Sequence, residues 1–570
     1  FSSCVALPAV PMLASLVLRR KERAGITALV DVVFRFLQRR YEWLLRRALR
    51  QPAAVFAFLI GCAALTWWLQ RQIPSEFTPK EDRGSFFVIT SAPQGSSYGR
   101  SLEMFAEIEK RLMYLVDTGE VPRLLVRVPR PFGTNSAFNE VITIVNLTAF
   151  ATRRDRNVYF CLAEEEGRGA LSGMTGVQTF VIMRQALSRG LTKPVQFVIG
   201  GPSYETLLEW RDLIVERARD NPGLVGLDYD YKETKPQVSV GIDRRRAADL
   251  GVPVSSIGQS LEILFGQKRA TTFVDHGEEY DVVLEGDYDD KRSPEDLREV
   301  YVRSETSGEL IPLSNLVTLE EFADSGTLNR YNRMRAITLD AGLAPGYSLS
   351  EALAYLEGLV EELLPETAVV GYRGESLKYK ESSRSVLFVF GLALLVVFLV
   401  LAAQFESFVH PFTIMLTVPI AVAGGLMGLL LTGENQSIYS SIGLIMLVGL
   451  ATKNGILIVE FINQLRDEGV PYLEAVVRAS ALRLRPIVMT VITTLMGSLP
   501  LVFSTGPGFE TRRVVGIVIL FGVGVSAVFT LFVVPVVYRV VSARTGSPEE
   551  RARKLETALE AEMEKEGVGA

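Results

Sequence analysis

Hydrophobic and polar positions divide the chain into three regimes. Long apolar runs occur at about Ala53–Leu69, Val386–Ala403, Phe412–Leu431, Ser440–Ile462, Ile487–Phe503 and Val514–Val537. About 20 apolar residues cross ~30 Å of hydrocarbon as a helix, so each run predicts a membrane span. The opening stretch, Phe1 to about Leu18, predicts the end of a further span. From Ala28 to Leu49 apolar and basic residues alternate at helical spacing, as in an amphipathic helix lying on a membrane surface. Between Ile73 and about Tyr379 the pattern is that of ordinary water-soluble structure, enough for about two or three domains.

Inside that soluble region short alternating runs and helical periods follow one another. Phe86–Ser91 predicts a strand, Tyr98 to Leu115 an amphipathic helix, and Leu124–Val128 and Val141–Leu147 returning strands. The pattern recurs at Val195–Ile199, Tyr204–Arg219 and Val225–Tyr231, and again at Ala336–Ala341, Ser348–Leu363 and Ala368–Tyr372. These are units of the split, ferredoxin-like βαβ type. Between the last two sits a different piece, Gln237 to about Asn332, which opens with the strand Val238–Ile242 and carries the acidic Asp281–Asp290 stretch. It reads as a domain inserted within a domain.

Charge orients the chain. Ten basic residues between Arg19 and Arg50 face only Glu22, Asp31 and Glu42, so this segment is expected on the cytoplasmic side. Counting spans puts the soluble insertion outside and Leu465–Arg485, also basic, inside; Arg512 and Arg513, expected outside, are the exception. The insertion carries about thirteen net negative charges, which suits solubility and offers nothing to nucleic acid. Of three cysteines, Cys4, Cys62 and Cys161, one falls in the insertion, so no disulfide framework is expected there. His276 and His410 lie far apart with no ligand set around them, and no metal site is predicted.

The candidate chemistry lies in one apolar run, Gly449-Leu450-Ala451-Thr452-Lys453-Asn454-Gly455. Lys453 falls near the middle of its span. A charge at that depth costs a few kcal/mol or more, and such residues usually serve ion or proton pathways. Glu460 follows two helical turns later on the same face. The competing reading is a lysine paired for packing alone.

Several separated motifs resemble one family. Pro74-Ser75-Glu76-Phe77-Thr78-Pro79-Lys80-Glu81-Asp82-Arg83-Gly84 looks like the signature opening the second porter segment of resistance–nodulation–division (RND) transporters. The Lys453 helix and Arg483-Leu484-Arg485-Pro486-Ile487-Val488-Met489-Thr490 look like spans ten and eleven of its hydrophobe–amphiphile efflux branch, and Gln404-Phe405-Glu406-Ser407 like the short inner loop after span eight. The resemblance implies a proton-driven exporter rather than an enzyme. It would be a homotrimer of a Gram-negative inner membrane, joined to a periplasmic adaptor and an outer-membrane channel, powered by proton motive force and needing no cofactor. It also implies that Lys453, Arg483 and Thr490 form a proton relay with two adjacent aspartates of span four, and that Gly443, Gly449, Gly455, Gly522 and Gly524 let helices approach closely. In the corresponding Phe- and Gly-rich loop, Phe132 and Phe138 are the candidates for contact with hydrophobic small molecules; plain core phenylalanines in a turn are the other reading.

No adjacent aspartates occur in any apolar run, since Asp289-Asp290 lies in the insertion. The expectation is therefore the C-terminal half of a transporter, either truncated or completed by a separate chain bearing the aspartate pair. The expected fold is a membrane α-helical bundle of about six spans plus a partial one, with a large α+β periplasmic insertion. Its parts are residues 1–18 (end of a span), 19–50 (cytoplasmic basic segment), 51–72 (span), 73–194 (first porter subdomain), 195–236 and 333–379 (second porter subdomain), 237–332 (inserted docking subdomain), 380–543 (five spans) and 544–570 (cytoplasmic tail). Multidrug or amphiphile efflux is the leading functional reading. A heavy-metal RND exporter, an RND-like secretion helper and an inactive half-subunit remain as alternatives.

Overall fold

The computed structural model describes residues 2–17, 26–129, 138–152, 171, 174, 176–183, 187, 192–287 and 293–544. Six helices in it are long and apolar enough to cross a membrane: Pro52–Gln72, Gly374–Phe405, Val409–Thr432, Ile438–Asp467, Tyr472–Val502 and Phe509–Val541. The stretch read as the end of a span holds the helix Ser2–Val17, which is not among these six, and the basic segment holds the helix Ile26–Arg50.

Two of these helices overrun the apolar windows that predicted them. Gly374–Phe405 starts well before Val386, and Tyr472–Val502 starts well before Ile487. In the second case the early turns are amphipathic, with Ala475, Val476, Ala479 and Ser480 buried, so packing continues the helix where hydropathy alone would end it. The span Val409–Thr432 is broken into Val409–Met415 and Val418–Thr432. Pro419 explains the break: it has no N–H to donate and disfavours helical geometry at the preceding residue.

Phe509–Val541 is the centre of the bundle, with buried residues from Val514 to Tyr538. Small residues set its spacing to its neighbours. A Cβ on Gly424 would lie 3.0 Å from the Phe521 carbonyl oxygen, and one on Gly443 3.0 Å from Val518. Gly455 and Gly522 are crowded in the same way, whereas a Cβ on Gly449 would meet nothing within 4 Å and one on Gly524 only Leu495 at 3.8 Å. The close-approach reading thus holds for Gly443, Gly455 and Gly522 and fails for Gly449 and Gly524. Outward-facing positions stay apolar, with Ile60, Trp67, Leu387 and Phe388 exposed, as lipid contact requires. Arg71 stacks 3.9 Å over Trp67 at one end of its helix, in the manner of interfacial aromatic anchors.

The soluble part holds two sheets of the same design. In the first, β1 (Ser85–Ser91), β2 (Arg123–Arg127), β3 (Glu140–Asn146) and β4 (Gln178–Met183) run in the order β2-β3-β1-β4. In the second, β5 (Val195–Gly201) and β6 (Leu224–Tyr229) join strands far along the chain. Between them lie β7 (Lys235–Ile242), β8 (Lys268–Asp275), β9 (Glu278–Leu284), β10 (Tyr301–Arg303), β11 (Leu310–Pro312) and β12 (Val317–Asp324). The chain then returns through β13 (Arg330–Tyr331), β14 (Met334–Leu343) and β15 (Val369–Tyr372), in the order β13-β14-β5-β15 with β6 on β14. Each sheet therefore places its first and third long strands at the centre, all neighbours antiparallel, which is the split βαβ arrangement. The two later βαβ patterns form one sheet. Its core joins Phe197, Ile199, Ile337 and Leu339 to the helices Tyr204–Arg219 and Leu349–Leu363. The piece between β6 and β13 has its own pairing, β7 with β12, β8 with β9 and β10 with β11, and its own small core around Ile257, Leu313 and Leu316.

The structure distinguishes the two sides of the bundle. The segment Pro74–Gly84 is a strap bound to two helix-connecting loops: Gln436 N donates to the Pro74 carbonyl at 2.9 Å and Gly508 N to the Asp82 carbonyl at 3.0 Å. The soluble insertion and the loops at 433–437 and 503–508 therefore share one side. On the opposite side, Tyr41 Oη donates to the Leu531 carbonyl at 2.6 Å and Tyr472 Oη to the Tyr538 carbonyl at 2.9 Å. Arg513, which broke the charge rule, is neutralised by Glu434 at 3.2 Å.

Candidate functional site

The helix carrying Lys453 begins with a reciprocal cap, in which Ser437 and Ser440 satisfy each other's backbone N–H groups. One face of it is packed, with Leu447, Ala451, Thr452, Asn454, Gly455 and Ile458 buried. The other face is open. Ile442, Met446 and Lys453 are exposed, and Glu460 is half-buried on the same stripe. Spacings of four and seven residues put these positions on one line along the helix. Lys453 thus faces away from the packed interior of this chain. Among the described residues it has no hydrogen bond and no ion pair. Glu460 accepts a hydrogen bond from Gln464 Nε2 at 3.2 Å.

Arg483 lies on the next helix, which runs antiparallel after the short turn at 468–471. Its guanidinium stacks 4.4 Å over the ring of Phe461, and its Nε is buried without a hydrogen-bond partner. Phe461 is eight residues from Lys453, or ~12 Å at 1.5 Å per residue. Thr490 is seven residues from Arg483, ~10 Å in the same direction because the helices are antiparallel. Thr490 and Lys453 therefore sit at nearly the same depth, with Arg483 about two turns towards the basic end. The Thr490 hydroxyl donates to the Ile487 carbonyl at 2.9 Å, which leaves its lone pairs available. The structure thus brings Lys453, Arg483 and Thr490 onto one pair of adjacent helices.

The aromatic candidates lie elsewhere. Phe138 is 49 % exposed and packs edge-on against Tyr98, with ring centroids 5.8 Å apart. Its exposure removes the core reading for this residue. Phe132 lies outside the described residues, as do Cys161, the Asp289-Asp290 pair and the tail beyond residue 544.

Two polar clusters escaped the sequence reading. One is a buried network at the basic end: Tyr538 Oη donates to Asn463 Oδ1 at 2.6 Å and accepts from Arg466 at 2.8 Å, while His410 stacks on the Tyr538 ring at 5.5 Å. Each of these residues sits on a different helix or turn of helix, so the network fixes the relative depth of three spans. No periodicity could announce it, because its members are far apart in sequence. The other is the strap itself, where Glu81 and Asp82 are almost wholly buried. Glu81 pairs with Arg83 at 2.6 Å, and Glu510 accepts from Asp82 N at 3.1 Å. Burial also pushes the Glu76 carboxyl up to about 7. A charge-rich motif beside an apolar run was the visible signal, though not its burial.

Comparison with known proteins adds the decisive observation: the profile of the AcrB/AcrD/AcrF family matches residues 1–542. The chain belongs to that family. The AcrB/AcrD/AcrF family comprises RND efflux transporters, as the motifs implied. The chain is 30 % identical over 495 residues to the multidrug/solvent efflux pump membrane transporter MepB of Pseudomonas putida, covering 85 % of this chain and 46 % of that protein. It is 30 % identical over 508 residues to the antibiotic efflux pump membrane transporter ArpB of the same species, covering 86 % and 47 %. It matches the toluene efflux pump membrane transporter TtgB, also of Pseudomonas putida, at 30 % over 495 residues, covering 85 % and 46 %. The chain spans about half the length of the curated relatives it matches.

Proposed function

We propose that this chain is the C-terminal half of a proton-driven RND efflux pump for hydrophobic and amphiphilic organic compounds. The observation that carries this reading is the open face of the Lys453 helix. A lysine at mid-span, at nearly the depth of Thr490 on the next helix and with no carboxylate partner among the described residues, is a half-built ion pair. Such a charge in hydrocarbon demands a counter-charge, and an aspartate pair on a second set of spans would supply it. Protonating that pair would release the lysine, and rearranged buried charges would bias the helices between two packings. The soluble sheets, tied to the bundle by the Pro74–Gly84 strap and by the continuous Gly374–Phe405 helix, would follow that motion.

In this reading the membrane is a bacterial inner membrane and the insertion is periplasmic. The pump works as a trimer with an adaptor and an outer-membrane channel, and proton motive force is its energy source. Exposed Phe138, with Phe132, lines the substrate path. The names of the relatives, which refer to solvents, toluene and antibiotics, support an apolar organic substrate.

The test is dye efflux in vesicles under an imposed pH gradient. The chain alone should give none. Joined to a half that carries an aspartate pair on its fourth span, it should give efflux that collapses when the gradient is discharged. Gradient-driven efflux from the chain alone would overturn the assignment.

A further inference from the structure

At the basic end of the bundle a cavity of about 350 Å³ lies between the Ile26–Arg50 and Tyr472–Val502 helices. Asp31, Arg35, Gln38 and Arg485 line it, together with Val32 and Phe34. Arg485 Nη1 donates to Asp31 Oδ1 at 2.8 Å, and its guanidinium sits 5.4 Å from the Phe34 ring centroid. Arg35 Nε donates to the Asp31 carbonyl at 3.3 Å. The cavity therefore presents two guanidinium groups against one carboxylate. A guanidinium carries five N–H donors in a planar fork suited to phosphate oxygens, and most of these have no partner among the described residues.

The helix around the cavity is also unusual for a surface exposed to water. Val32, Val33, Phe36, Leu37, Trp43 and Leu44 are exposed, interleaved with exposed Arg35, Arg39, Arg40, Arg46, Arg47 and Arg50. Large apolar and basic side chains mixed on one exposed helix are the mark of binding at a charged membrane boundary. The next residues, Gln51 and Pro52, lead directly into a spanning helix, so this helix ends at the membrane surface.

We propose that this cavity binds the headgroup of an anionic phospholipid. The phosphodiester seats between Arg35 and Arg485, the Gln38 amide donates to it, and the acyl chains lie against Val32 and Phe36. Charge favours this occupant over a zwitterionic lipid, because the described lining residues carry two arginines against one aspartate. The bordering apolar side chains favour a lipid over free phosphate.

The experiment uses the full chain in nanodiscs of phosphatidylcholine with or without phosphatidylglycerol, followed by mass spectrometry of the lipid retained after extraction into detergent. Phosphatidylglycerol should be retained in preference, and Arg35→Gln should reduce its retention about fivefold, the loss expected for one basic contact at an anionic surface. Arg35→Lys, which keeps the charge, should restore much of it and shows that the site still folds. Equal retention of the two lipids, or no effect of Arg35→Gln, would overturn the proposal. A loss produced by Arg39→Gln with Arg46→Gln but not by Arg35→Gln would reduce it to diffuse attraction and overturn the cavity. Thermal stabilisation by inorganic phosphate alone, equal to that given by phosphatidylglycerol, would make it a free-anion site instead.

Discussion

At the scale of single residues, the chemistry of this chain was legible where it violated its surroundings. Lys453 stands out because an apolar run has no other reason to hold a charge. What the sequence could not give was its direction: the helix turns it outward, away from the packed interior of this chain. That orientation makes a sharp prediction. Lys453→Met should leave the expression and extraction behaviour of this chain unchanged, because no described contact is lost. In the assembled transporter it should lower proton-driven efflux at least about tenfold, equivalent to about 1.4 kcal/mol in the rate-limiting barrier. Efflux near the wild-type level, measured in vesicles under an imposed gradient, would take the lysine out of the relay. Arg483, by contrast, lies in a basic stretch before the next apolar run and was singled out only by the family resemblance; its stacking on Phe461 depends on helix register and needed the structure.

At the scale of elements, apolar length located every span to within a turn or two except where packing, not hydropathy, set the end. The early starts at Gly374 and Tyr472 are the two such cases, and the break before Pro419 is a third departure with a backbone cause. Glycines were a poorer guide. Gly424 was not singled out by sequence, yet its absent side chain lets two helices touch backbone to backbone. Gly424→Leu should therefore destabilise the bundle by ~1–3 kcal/mol, since the Phe521 carbonyl cannot move aside as a side chain could. Thermal unfolding in detergent checks this, and a variant as stable as wild type would show that the helices can separate freely.

The strands were legible individually, and 195–236 with 333–379 were read as one subdomain around an insertion, but the register that pairs β5 with β14 was not legible, because it joins residues more than a hundred positions apart. On the face of that sheet turned away from its helices, Asp340 accepts a hydrogen bond from Gln196 at 3.2 Å, and burial pushes its carboxyl up to about 6. A carboxyl raised in the folded state binds its proton more tightly there than when unfolded. Its ionisation thus costs stability as pH rises from the ordinary carboxylate range through about 6, and folding is favoured below it. Asp340→Asn should flatten the fall in thermal midpoint over that window and raise stability at neutral pH. An unchanged pH profile would show that Asp340 ionises without penalty.

At the scale of the whole molecule, charge counting and geometry reach the same topology by independent routes. Charge places the basic 19–50 segment inside; the hydrogen bonds of the Pro74–Gly84 strap place the insertion with the loops at 433–437 and 503–508. With six spans, the segment before Pro52 and the end of the Phe509–Val541 helix must lie on one side, as the Tyr41 to Leu531 hydrogen bond requires. Of the two arginines that stand against the charge rule, Arg513 pairs with Glu434 and Arg512 donates to the Pro507 carbonyl at 3.3 Å; the exception stands, because carboxylates contribute little to that rule. Cysteine labelling follows directly. In a background with Cys4, Cys62 and Cys161 replaced by Ser, Glu305→Cys should react with a membrane-impermeant maleimide in intact spheroplasts. Arg47→Cys should react only after permeabilisation. Both positions are exposed, so access to the reagent depends on the membrane and not on burial. Labelling of Arg47→Cys in intact spheroplasts would invert the topology, place the insertion on the cytoplasmic side, and remove the basis for the proposed export.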